Sequence, residues 1–256
     1  MIEVKNVCKS FDGVEVLKNV SALFHAGKTN LIIGQSGSGK TVLMKSIIGI
    51  HHVTSGQILY NNRDFTAMSG DEVKALRQEV GMLFQGSALF DSMTVEENVR
   101  FPLEMFSNLP KEAWDDRVNF CLNRVNLHNA NKLFPSEISG GMQKRVAIAR
   151  AIVLQPTYLF CDEPNSGLDP KTAIVIDQLI QEITYEYNIT TIINTHDMNS
   201  VMEIGDHVLF INKGEKSWEG NKDSIFESDN EYLNDLVFAS DLFKKIKKNH
   251  LLNKRT

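Results

Sequence analysis

Apolar and polar residues alternate in "IEVKNV" (2–7) and "VSALFHAG" (20–27), and both stretches run into turn residues, the pattern of half-buried strands. "QILYNN" follows "TSG" and reads the same way, so the first sixty residues predict a small antiparallel sheet. At "KTNLIIG" the pattern changes to a short continuous apolar run that enters glycines, and "GKTVLMKSIIGI" after it carries Val42, Leu43, Ser46 and Ile47 at helical spacing. From about 86 to 155 three stretches read as helices, "TVEENVRFPLEMF", "KEAWDDRVNFCLNRVNL" and "GGMQKRVAIARAIVL", interrupted by Pro102, Pro110 and Pro135. Beyond them, "TYLFCDEP" and "ITTIINTHD" are buried-type strands separated by the helix "KTAIVIDQLIQEITYEY". That alternation predicts a parallel sheet of an α/β fold. "HVLFINKGEKSWEG" closes as a hairpin over Lys213 and Gly214, and the remainder from about 222 is polar.

With 256 residues, 42% hydrophobic and 23% charged, the chain can bury one large core or two modest ones. A formal net charge of -5 argues against nucleic acid as a partner, which needs a broad cationic face. Cys8, Cys121 and Cys161 are odd in number and widely spaced, suggesting neither a disulfide framework nor a zinc site. The start has no apolar signal core, and runs such as "LII" and "VLFI" fall far short of the roughly 18 residues a membrane span needs. The expectation is a chain that does not itself cross a bilayer and lives in a reducing cytosol. No period of 20 to 50 residues repeats.

Into this pattern fits one strong chemical motif. "GQSGSGKT" (Gly34, Gln35, Ser36, Gly37, Ser38, Gly39, Lys40, Thr41) satisfies G-x-x-x-x-G-K-[ST] between a strand and a helix. Glycines let backbone N–H groups curl around phosphate oxygens, and the helix N-terminus adds its positive dipole end. Lys40 would reach the β- and γ-phosphates, and the Thr41 hydroxyl would ligate Mg²⁺. "YLFCDE" supplies two carboxylates at the end of an apolar strand: Asp162 for the metal, Glu163 to take a proton from the attacking water or orient it. "DEP" also suits a helix N-cap, and Cys161 reads as packing beside the site.

With "ISGGM" (138–142) placed between the helical stretch and the acidic strand, the chain resembles the ATP-binding cassette (ABC) ATPases over nearly its whole length. The resemblance implies a RecA-like P-loop NTPase fold, an ABC nucleotide-binding domain with an antiparallel β subdomain and an α-helical subdomain. Residues 1–221 would be the ATPase domain, with its helical subdomain at about 86–155, and 222–256 a C-terminal extension. "ISGGM" is similar to the family's L-S-G-G-Q signature, which completes the nucleotide pocket of the opposite subunit. Ser139, Gly140 and Gly141 would thus face the ATP held by Lys40 of a second copy, in a head-to-tail dimer. Met142 replaces the signature glutamine, which removes any contact from that side chain, and Ser139 also suits a helix N-cap. By the same resemblance Gln85 senses Mg²⁺ and the attacking water, and His196 contacts the γ-phosphate. Asp169 in "SGLDP" crosses the dimer interface, and Phe11 stacks on adenine, its alternative being a core aromatic of the small sheet. "NKGE" at Asn212 only approximates the guanine-reading N-K-x-D motif.

The family couples ATP to movement of a membrane partner, which implies an integral-membrane permease, accessory and substrate-binding subunits, and a peripheral location on the cytoplasmic face of the inner membrane. "GMLFQGSALFDSMTVEENVRFPLEM" (81–105) resembles the corresponding segment of the lipid-asymmetry (Mla-type) phospholipid transport ATPases, and "SGGMQKRVAIARAI" and "CDEPNSGLDP" lean the same way; the alternatives are the amphipathic filling of a generic cassette that serves another substrate, a metabolite or peptide, and a soluble cassette ATPase with no transport role. The tail "DLFKKIKKNHLLNKRT" is either a solvated end or a segment whose Leu242, Phe243, Ile246, Leu251 and Leu252 dock on a neighbour while its lysines face anionic headgroups.

Overall fold

A computed structural model describes residues 1–107, 110–239 and 243–248. Of the basic tail, Leu242, Leu251, Leu252, Lys254 and Arg255 lie outside the described residues. The chain divides into two compact units, residues 1–67 with 194–256, and residues 68–193.

In the first unit, β1 (Ile2–Phe11), β2 (Val14–Phe24), β4 (Ser55–Tyr60) and β5 (Arg63–Asp64) form the antiparallel sheet in the order β2-β1-β4-β5. Asp12 and Gly13 turn the first hairpin with φ of 49° and 82°, the paired left-handed geometry that matches the strands' twist. Ile2 and Val4 on β1 and Val20, Ala22 and Phe24 on β2 are buried in the alternation that the pattern predicts, while Val7, beyond an irregularity in the pairing, and Leu17 join them in the core. This unit also holds β3 (Lys28–Ile33), β9 (His207–Asn212) and β10 (Glu215–Gly220) in the order β10-β9-β3, with β3 parallel to β9. Helix α1 (Lys40–Ile48) follows β3 and is tied to the antiparallel sheet by the Tyr60 hydroxyl, which donates to Ile47 O at 2.8 Å. Lys213 and Gly214 turn the β9–β10 hairpin as the sequence predicts, at φ of 49° and 85°.

Two helices of this unit escape the pattern reading because they are short: α7 (Met198–Ile204), capped by Asp197, and α8 (Glu231–Val237). Asn230 caps α8 and donates to Ser217 O on β10 at 2.8 Å, while Leu233 and Val237 are buried, so the start of the polar extension packs on the sheet.

The second unit carries α2 (Gly70–Gln78), β6 (Val80–Leu83), α3 (Val95–Phe106), α4 (Trp114–Arg124), α5 (Gly140–Ile152), β7 (Tyr158–Asp162), α6 (Pro170–Glu186) and β8 (Thr190–Asn194), whose last residue belongs to the first unit. Its strands run in the order β8-β7-β6, with β6 parallel to β7. Neither α2, which starts at a Ser69–Glu72 capping box, nor the four-residue β6 stands out in the sequence.

One expectation fails. Pro102 does not interrupt its helix: α3 runs through it to Phe106. A proline removes one helical donor, but Val95, Val99 and Leu103 bury a continuous stripe on either side of it, and a Thr94–Glu97 capping box secures the start. Pro110 and Pro135 do stand at breaks, each opening a 3₁₀ turn.

Among the described residues no helix is long and apolar enough to cross a membrane.

Candidate functional site

In the first unit, β3 delivers the chain buried up to Ile33 and into the glycine loop. Gly34 has φ of 154°, and a Cβ there would lie 2.3 Å from Ile211 O and 2.6 Å from Ser38 Oγ, so only glycine fits. Gly39 caps α1 at φ of 107°. Gly214 N donates to Ser38 O at 2.9 Å, so the β9–β10 turn buttresses the loop. Lys40 is buried, and its ammonium donates to Gly34 O (2.9 Å) and Gln35 O (3.1 Å), curled back over the loop. The Ser38 hydroxyl is buried and has no hydrogen-bond partner among the described residues. A buried unpaired hydroxyl beside a buried ammonium and a helix N-terminus is a cradle for an anion. Gln35, Ser36 and Gly37 are exposed at the loop's outer curve.

The Thr41 hydroxyl accepts from Asn194 Nδ2 at 3.1 Å. Asn194, the polar end of a fully buried strand, belongs to no motif; its signal in the sequence is a lone amide after "TII". His196 follows two residues later and is exposed. Phe11 is 37% exposed, which excludes the core-aromatic alternative. Lys9 Nζ lies 4.5 Å from its ring centroid, and His51 meets the ring edge-on at 5.2 Å. Burial, helped by Lys45 and Lys9, lowers the His51 pKa.

In the second unit, the parallel register pairs Leu83 with Cys161, so the residues after the two strands leave the same edge together. Gln85 Nε2 donates to Glu163 Oε2 at 3.0 Å. Glu163 holds φ of 47°, the left-handed region that a non-glycine residue adopts only when its surroundings impose it. Asp162 closes β7 half-buried, and burial raises the Cys161 thiol so that it stays neutral packing.

Ser139 caps α5 by accepting from Met142 N at 3.3 Å and is exposed. Gly141 permits close approach, since a Cβ there would stand 2.7 Å from Thr172 Cγ2, whereas one on Gly140 would make only an ordinary contact with Leu168 Cδ2 at 3.8 Å. Asp169 caps α6, accepting from Lys171 N and Thr172 N at 3.1 Å each and from the Thr172 hydroxyl. That hydroxyl bond, then the Thr172 amide, holds its pKa below the usual carboxylate value. The second unit thus gathers Gln85 with Glu163, and the signature residues with the Leu168–Thr172 turn.

Sequence comparison gives these features a family. The ABC transporter family matches over residues 17–166. The chain belongs to the ABC transporter family. The methionine import ATP-binding protein MetN 1 of Bacillus cereus is 40% identical over 230 residues, 88% of this chain and 66% of that protein. MetN of Clostridium tetani is 37% identical over 88% of this chain and 71% of its own length. The probable ribonucleotide transport ATP-binding protein mkl of Mycobacterium leprae is 37% identical over 89% and 66%. The chain therefore spans about two thirds of the length of these curated relatives. Among solved structures, the dimeric bacterial ABC transporter cassette MJ0796 has 32% identity and a TM-score of 0.79, over 87% of this chain and 99% of that one. CbiO1 of Clostridium perfringens, part of an ABC transporter complex, has 31% identity and a TM-score of 0.83, over 90% and 91%. The fold is that of an ABC ATPase domain, a P-loop NTPase of the α/β class, as the motifs imply.

Proposed function

We propose that this ABC domain is the ATP-hydrolysing subunit of a transporter, working as a head-to-tail pair beneath an integral-membrane permease on the cytoplasmic face of the inner membrane. Residues 1–221 serve as the ATPase module and 222–256 as an extension. The observation that carries the reading is the glycine loop with its buried Lys40 ammonium and unpaired Ser38 hydroxyl, a cradle for a triphosphate.

Each remaining candidate takes one role. Phe11 stacks on adenine through its exposed ring. For Mg²⁺, Thr41 of the first unit offers a hydroxyl oxygen, and Gln85 and Asp162 of the second an amide and a carboxylate oxygen, each a hard donor of the kind this ion takes alongside phosphate and water. When bound, that ion would neutralise charge on the β- and γ-phosphate oxygens. Gln85 orients a water, and Glu163 takes its proton as the water oxygen attacks the γ-phosphorus and the bond to the β-phosphate oxygen breaks. His196 steadies the γ-phosphate. Ser139, Gly140 and Gly141 close on the nucleotide of the second copy, while Asp169 sits at the crossing between copies. The dimeric relatives support the pairing.

For the cargo we infer phospholipid, moved for outer-membrane lipid asymmetry with accessory and substrate-binding subunits. Support comes from residues 81–105 and from "SGGMQKRVAIARAI", which resemble Mla-type ATPases. A second reading, methionine import, is favoured by the names of the MetN relatives.

The site is tested by two variants. Glu163→Gln is expected to keep ATP affinity while turnover falls roughly 10²- to 10⁴-fold, and Lys40→Ala to lose nucleotide affinity. Near-normal hydrolysis in both overturns the assignment. For cargo, the native complex is isolated and its membrane subunit and bound lipid identified. ATPase stimulation by methionine with no lipid bound sinks the lipid reading.

A further inference from the structure

Helix α5, which opens with the signature residues, carries Lys144, Arg145 and Arg150, none of them used by the proposed chemistry; Lys144 and Arg150 reach back to the segment after β6. Lys144 is only 4% exposed, and its Nζ donates to the backbone carbonyl of Gln85. Arg150 spreads its guanidinium over the next residues, Nη2 to Ser87 O and Nη1 to Ala88 O, both at 2.7 Å. Six residues apart, the two stand roughly 9 Å apart along the helix axis, enough to brace the whole 85–88 segment.

That segment needs bracing. Ser87 and Ala88 are consecutive non-glycine residues at φ of 62° and 48°, a conformation they hold only under external constraint. The helix also presses on the strand leading into the segment: a Cβ on Gly81 would lie 2.4 Å from Ala151 O. At the far end of the chain of contacts, the Gln85 side chain donates to Glu163 at 3.0 Å. Burial lowers the Lys144 pKa, while Cys161, Glu163 and Asp162 nearby push it back up, so the ammonium sits in the field of the acidic strand end.

We propose that Lys144 and Arg150 are positioning residues that fasten the Gln85–Ala88 backbone to the signature helix, so that seating of Ser139 on the partner copy's nucleotide is transmitted along α5 to the Gln85–Glu163 pair of the same chain. Their bonds go to the carbonyls of Gln85, Ser87 and Ala88, and they set where the Gln85 amide stands against the carboxylate. This rests on the roles given above to Gln85 and Glu163.

The test uses the full chain with its permease. Lys144→Met is expected to lower kcat at least ~10-fold with KM for ATP within about 2-fold, and Lys144→Arg to restore most of it. In a Gln85→Ala background, Lys144→Met should cost no more than about 2-fold further, because its effect runs through Gln85. Unchanged kcat, or full additivity with Gln85→Ala, overturns the proposal. Should Lys144→Met fail to fold, Arg150→Lys keeps the charge, forfeits the two-carbonyl fork, and is held to the same criteria. Normal turnover in Lys144→Met beside a dead Glu163→Gln sinks only this inference, whereas normal turnover in Glu163→Gln and Gln85→Ala sinks the underlying assignment.

Discussion

Replacing Ser139 by alanine separates a helix cap from a shared active site. As a cap, the hydroxyl makes one long bond, 3.3 Å from Met142 N, from an exposed position. Helix α5 is held mainly by its buried side, Val146, Ala147, Ile148, Ala149 and Ile152. Loss of the cap should therefore cost about 0.5–1 kcal/mol, at the low end for such caps, leaving the fold intact. If the same hydroxyl donates to a phosphate of the partner copy's nucleotide, a bond to a charged group worth about 1.5–3 kcal/mol disappears, and turnover falls roughly 10- to 150-fold. The assay pairs phosphate release at saturating ATP with urea denaturation. Mixed dimers make it decisive: one copy carrying Ser139→Ala and the other Lys40→Ala retain one composite site with both groups intact. Turnover above that of either variant homodimer is expected. No activity in the mixed dimer, or a rate loss no larger than the stability loss, refutes a site shared between copies.

Two predictions concern stability. Asn98 is fully buried; it accepts from Phe90 N at 2.8 Å and donates to Phe90 O and Met93 O at 3.1 Å each, templating the loop before α3. Asn98→Ala leaves these groups unpaired and should cost about 2–4 kcal/mol in the denaturation midpoint, with the Phe90 amide losing hydrogen-exchange protection; a loss under about 0.5 kcal/mol contradicts the templating role. His207 is half-buried beside Glu219, 2.9 Å from its carboxylate; desolvation lowers its pKa and the Glu219 bond only partly opposes this. The native state thus favours the neutral ring, and its stability should fall as pH drops below about 6.5, where the unfolded chain binds the proton first. Denaturation midpoints measured between about pH 7.5 and 5.5 should decline less in His207→Gln; parallel curves would count against it.

Local chemistry was legible in the sequence because its constraints are local. The glycine loop, the acidic strand end, the antiparallel hairpins and the Lys213–Gly214 turn each follow from a few adjacent residues whose backbone freedom or side-chain period permits little else. Pro102 does not end α3, against its sequence signal, because the burial of α3 on both sides of it outweighs one missing donor, a term that no window of sequence contains. Tertiary structure alone decided what lies between the motifs. The β6–β7 register sets Gln85 against Glu163, the Asn194 amide finds Thr41, and Lys144 and Arg150 reach carbonyls 59 to 63 residues away in sequence. Those partners are fixed by packing of elements far apart in the chain, and hydrogen bonds between distant residues leave no periodic trace in either segment.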